Sequence, residues 1–98
     1  MPTKKRLTQK EIDFEHLSNI LKPLSHPHRL EMIVGLFHNE CNVTQCQERM
    51  GLPQSTISQH LRVLKDAGII KGHRKGTEVC YKVIDDFALK IIDLMETH

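Results

Sequence analysis

Between Asn42 and Gly68 the apolar residues recur at helical spacing in two short blocks. Val43, Cys46 and Met50 share one side of the first, and Ile57, Leu61 and Leu64 share one side of the second. Asn42 is the predicted N-cap of the first block, and Gln45 completes a weaker relative of a capping box. Gly51 can take the left-handed conformation that ends a helix, and Pro53 suits the first turn of the next, so a short sharp turn joins the two. The second helix is predicted from about Pro53 to Ala67 and is closed by Gly68. Its outward side carries Gln54, Ser55, Ser58, Gln59 and Arg62. Hydroxyls, amides and a guanidinium reach base edges and phosphates, whereas an ordinary solvated helix carries long Glu/Lys pairs. The pattern is that of a DNA-recognition helix.

The flanking patterns complete the order. Ile12, Leu17, Ile20, Leu21 and Leu24 keep helical spacing from Thr8 to about Lys22, with Glu11, Asp13 and Glu15 placed where the helix dipole favours acids. Pro23 is expected to stop this helix, and Ser25-His26-Pro27 restarts the chain. Leu30, Ile33, Val34 and Phe37 then form an apolar stripe ending near His38, expected to enter the core. After Gly68 the period switches. Residues 69–73 read as extended, and in Glu78–Val83 the residues Val79, Tyr81 and Val83 alternate with Glu78, Cys80 and Lys82. Arg74-Lys75-Gly76-Thr77 lies between, with Gly76 supplying a positive φ, so a β-hairpin with a basic tip is predicted. Ile84, Phe87, Ala88, Ile91, Ile92 and Met95 mark a last helix from about Asp85 to Glu96, widened by Leu94. The chain is thus expected to be mainly α with a small β-hairpin (α+β), in the order α-α-α-α-β-β-α. Residues 1–7, with Lys4, Lys5 and Arg6, read as a flexible basic arm, and residues 8–98 as one domain.

Charge sharpens this picture. The net +2 hides an excess of +4 over residues 54–76 and a balance of −3 over residues 77–98, so the basic charge sits beside the polar helix. No run approaches the roughly 18 apolar residues of a membrane span, and the N-terminus lacks the apolar core of a secretory signal. A cytoplasmic protein with no membrane partner is expected. Three cysteines at uneven spacing do not make a secreted disulfide framework.

Three segments in order, LSHPHRLEMI, LPQSTISQHLRVLKDAGII and RKGTEVCYKV, resemble the helix start, recognition helix and wing of the ArsR/SmtB family of winged helix-turn-helix transcriptional repressors. The resemblance spans roughly residues 17–95. It implies a homodimer whose first and last helices pack across a two-fold axis, with Ile12, Leu17, Ile20, Leu21, Phe87, Ile91, Leu94 and Met95 at the interface. It also implies that each recognition helix enters the major groove of one half of an inverted-repeat operator. Gln54, Ser55, Ser58 and Gln59 would face bases, Thr56 and Arg62 would lie within reach of base or phosphate, and Arg74 and Lys75 would approach flanking backbone or minor groove. For His60, between the two faces, packing or capping competes with a phosphate contact.

The same resemblance raises metal sensing, which the residues do not support. Arsenic and cadmium sensors of the family carry Cys-x-Cys near the start of the third helix, where this chain has Asn42 and Thr44. The zinc and nickel type uses Asp-x-His early in the last helix, and Asp85, Asp86 and His98 supply too few nitrogens. His26 and His28, two apart, would point to different faces of a helix. Neither a metal nor another cofactor is expected. The family's sulfur-responsive members pair a cysteine in helix two with one in the last helix, and neither is present. Cys46 reads as core, whereas Cys41 before the helix cap and Cys80, on the hairpin face opposite Val79 and Tyr81, form the candidate thiol switch, favoured over metal as the release signal.

Two other function classes fit the sequence less well. An enzyme would need a phosphate-binding glycine loop, a histidine pair four apart, or a nucleophile with its base, and the sequence has none of these. A winged-helix dimerisation or protein-interaction module acting through a partner is the alternative. Such a module has no reason to keep both a polar recognition face and an Arg74-Lys75 tip.

Overall fold

The computed structural model describes residues 11–39 and 42–98. The element order is α1 (Phe14–Leu24), α2 (Pro27–His38), α3 (Val43–Met50), α4 (Gln54–Asp66), β1 (Ile70–Lys75), β2 (Glu78–Val83) and α5 (Asp86–Glu96). This is the predicted order. The basic arm, the first three residues of the predicted first helix, and Cys41 lie outside the described residues.

Helix ends follow local chemistry. Asp13, expected inside helix one near its start, instead caps it, its carboxylate accepting from the His16 N–H at 3.0 Å, so α1 begins at Phe14. Pro23 lies inside the last turn and does not stop the helix before it. The end is closed by Ser25, whose N–H and hydroxyl both donate to the Lys22 carbonyl. Asn42 and Gln45 make the predicted capping box, at 2.8 and 3.1 Å. At the end of α4 the Gly68 N–H donates to the Lys65 carbonyl and the Ile69 N–H to the Leu64 carbonyl, with Gly68 at φ 77°. These paired bonds are the Schellman arrangement, which turns the chain straight into β1.

Ile20 and Leu24 of α1, Met32, Ile33 and Leu36 of α2, Cys46 of α3, and Ile57, Leu61 and Leu64 of α4 make the core with Ile69, Ile70, Ala88 and Ile92. The stripe predicted on α2 needs correction. Met32 and Leu36 are buried where Phe37 was expected, and Phe37 is exposed. Ile20, expected at a dimer interface, is 1% exposed and belongs to the protomer's own core. The apolar surface left over on α1 and α5 is Phe14, Leu21 at 49% and Leu94 at 68% exposure, with Leu17, Phe87, Ile91 and Met95 half-buried nearby in sequence and Ile12 half-buried ahead of α1.

The hairpin is antiparallel, with register from Ile70↔Val83 to Lys75↔Glu78. Arg74 and Lys75 are paired residues of β1, not part of the turn, which is the two residues Gly76 and Thr77 with Gly76 at φ 70°. Tyr81 and Val83 pack against the core, but Val79, predicted inward, is exposed, and Cys80 is buried at 7% exposure. Cys80 is thus covered on the face that a simple alternation leaves open.

Asp85 joins α5 to α1. Its carboxylate accepts from the Ala88 N–H at 2.8 Å as N-cap, and its other oxygen lies 3.3 Å from His16 Nε2. Asp85→Ala should therefore cost about 1–2 kcal/mol, read as a lower urea midpoint with an unchanged slope. An unmoved midpoint would show that this cap contributes nothing.

Candidate nucleic-acid interface

α4 divides cleanly. Ile57, Leu61 and Leu64 are buried, while Gln54, Ser55, Ser58, Gln59 and Arg62 are exposed and Thr56 is half-buried. The buried side fixes the helix against α3, α2 and β1. The exposed side is then a rigid platform of donors and acceptors. Arg62 makes one loose ion pair with Asp66, at 3.8 Å with both side chains largely exposed. A pair this exposed contributes little and leaves the guanidinium free to exchange Asp66 for a phosphate.

The wing stands beside this platform. Asn42 Nδ2 donates to Glu78 Oε1 at 2.6 Å, tying the start of α3 to the start of β2. A groove of about 320 Å³ between α4 and β2 is lined by Val43, Ser58, Leu61, Arg62, Lys65, Asp66 and Tyr81. Its hydroxyls and two cations suit a sugar-phosphate strand passing between helix and wing. Lys65, exposed and lining this groove, is an addition to the side chains predicted from the sequence. It follows Ser58 and Arg62 at helical spacing, a signal that was present in the sequence. Arg74 and Lys75 are exposed at the end of β1 next to the turn, and Lys71 is exposed near its start.

His60 resolves as a packed residue. It is 8% exposed and Arg29 Nη1 lies 3.2 Å from its Nδ1, while Arg29 Nε donates to the Pro23 carbonyl at 2.6 Å. Burial, then the neighbouring His26, Arg29 and His28, push its pKa below the usual histidine value. Its burial sets it apart from the exposed polar side chains of α4. Of the candidate thiols, Cys80 is buried, and Cys41 lies outside the described residues. Cys46 is fully buried in the core, as its spacing predicts. No helix among the described residues is long and apolar enough to cross a membrane.

Comparison with known proteins agrees with this geometry. A family model described as "Bacterial regulatory protein, arsR family" matches residues 26–71, from the N-cap of α2 into β1. The chain is similar to the transcriptional repressor PagR of Bacillus anthracis, 35% identical over 85 residues that cover 86% of this chain and 85% of PagR. It is also similar to the biofilm growth-associated repressor of Xylella fastidiosa strain 9a5c, 29% identical over 97 residues covering 97% and 85% of the two chains. Among solved structures, reduced HlyU from Vibrio cholerae N16961 superimposes with a TM-score of 0.83 at 26% identity, covering 93% of this chain and 96% of that one. The chain belongs to the ArsR/SmtB family and is a winged helix-turn-helix DNA-binding transcriptional regulator, not an enzyme.

Proposed function

We propose that this protein is a cytoplasmic homodimeric repressor. Each protomer places α4 in the major groove of one half of an inverted-repeat operator overlapping a promoter, with the 69–83 wing on the flanking DNA. The observation that carries this reading is the contiguous exposed face of Gln54, Ser55, Ser58, Gln59 and Arg62 on a helix whose reverse side is locked into the core. Gln54, Ser55, Ser58 and Gln59 read base edges, and Thr56 and Arg62 contact base or phosphate. Lys65, Arg74 and Lys75 hold the backbone, which fixes register without reading sequence. The exposed Phe14, Leu21 and Leu94 supply a surface for the second protomer. Release needs an inducer that favours a conformation unfit for DNA. A thiol signal at Cys41 and Cys80 fits this role, with the wing opening to expose Cys80.

Fluorescence anisotropy with the protein's own promoter region tests the reading. Specific binding should weaken by roughly 10³- to 10⁵-fold between about 50 and 200 mM salt, as about six to ten phosphate contacts require. Equal, weak binding to every duplex would leave only an interaction module. Polysulfide or oxidant should lower operator affinity and reductant should restore it. Affinity that ignores both removes the thiol step.

A further inference from the structure

We infer that His26, His28 and His60 form a ligand set for a divalent transition-metal cation of the zinc class, at the junction between the N-terminus of α2 and the inner side of α4. One nitrogen from each of the three rings lies within 4.8 Å of the other two. Ring centroids are 5.3 Å apart for His26 and His28, 4.8 Å for His26 and His60, and 5.7 Å for His28 and His60. His26 and His28 avoid the divergence that a helix would impose because His26 is not helical. It is the N-cap, extended at φ −134° and ψ 126°, and its ring lies beside that of His28. The first two residues are half-buried and the third is buried.

Zinc-class ions bind imidazole nitrogen at about 2.0–2.1 Å, which in a tetrahedral site puts ligand nitrogens about 3.3 Å apart. The three rings must close by no more than about 1.5 Å, a range that small side-chain rotations cover. Three protein nitrogens leave a fourth position for water, and an all-imidazole set suits zinc, cobalt, nickel or copper over magnesium or calcium. Ligand histidines bind as neutral imidazoles, so metal uptake displaces any proton they carry. Two existing contacts oppose the ion. Nδ1 of His26 accepts from the His28 N–H at 3.1 Å, and Arg29 Nη1 lies 3.2 Å from Nδ1 of His60. A bound cation takes over these lone pairs or turns the rings, and Arg29 withdraws while its Nε stays held by the Pro23 carbonyl. Since His60 sits between Gln59 and Leu61 of α4, occupancy is linked to the position of the helix. The site rests on the fold and not on the DNA reading, so its test reads metal alone.

Metal-stripped full-length protein is titrated with cobalt(II), and zinc(II) affinity is then measured against a chromophoric chelator. One cobalt per protomer should bind with the ligand-field bands of a four-coordinate nitrogen and oxygen site. His28→Ala should weaken cobalt and zinc at least tenfold while circular dichroism stays unchanged, since this half-buried side chain makes no cap of its own. His60→Gln should do the same, and if that variant fails to fold, His28→Gln takes its place. No binding by wild type, a thiolate-to-cobalt charge-transfer band, or affinity unchanged in both His28 variants would each overturn the assignment.

Discussion

Leu94→Asp should leave the protein monomeric and reduce its affinity for a full operator by about 10²- to 10⁴-fold. The side chain is 68% exposed on α5, so within a protomer it buries little and its replacement leaves the fold intact. The proposed second protomer is what makes it matter. A carboxylate buried there without a partner disfavours association strongly, because desolvation is not repaid. Two recognition helices held on one dimer bind as a linked pair, the second at high effective concentration, and separating them forfeits that gain without touching any DNA contact. Sedimentation with anisotropy checks both parts. The expected result is a monomer that retains helical circular dichroism and weak half-site binding. A variant that still sediments as a dimer would move the interface away from Leu94, and a monomer with full operator affinity would remove dimerisation from the binding scheme.

How much was legible in the sequence depended on how many neighbours each element has. α4 has one buried side and one open side, so its period identifies Ile57, Leu61 and Leu64 as core and Ser55, Ser58 and Gln59 as surface. α2 is packed by α1, α4, α5 and β2, which buries a broad arc. The stripes 30/33/34/37 and 32/33/36 are then equally good helical patterns, and sequence cannot say that Phe37 lies outside. The hairpin fails the alternation rule for a related reason. β2 packs on α2 as well as pairing with β1, and Cys80 is buried although its neighbour Tyr81 packs against the core. Ile20 and Leu21 share an apolar surface too broad for spacing to divide between a protomer's core and its partner. The histidine cluster was hidden for a local reason. Treating His26 as helical separates it from His28, whereas its capping conformation brings both to His60, more than thirty residues away. Pairing across such a distance is a property of the packed fold, and no spacing rule reports it.

The double substitution Ser55→Ala with Gln59→Ala should separate recognition from attraction. Both side chains are exposed on the first two turns of α4, one turn apart on the same face, and the core side of the helix does not use them. Stability should therefore move by no more than about 0.5 kcal/mol. Hydrogen bonds from such groups to base edges discriminate by about 1–3 kcal/mol each, so specific affinity should fall roughly 30- to 1,000-fold, with some coupling because the two positions adjoin. Affinity for unrelated duplex should be nearly unchanged, since Arg62, Lys65, Arg74 and Lys75 still meet phosphates. The converse variant, Arg74→Ala with Lys75→Ala, should weaken operator and unrelated DNA by similar factors and flatten the dependence on salt. If the Ser55/Gln59 variant instead lost both kinds of binding equally, α4 would be anchoring the backbone, and base reading would have to come from another element of the protein.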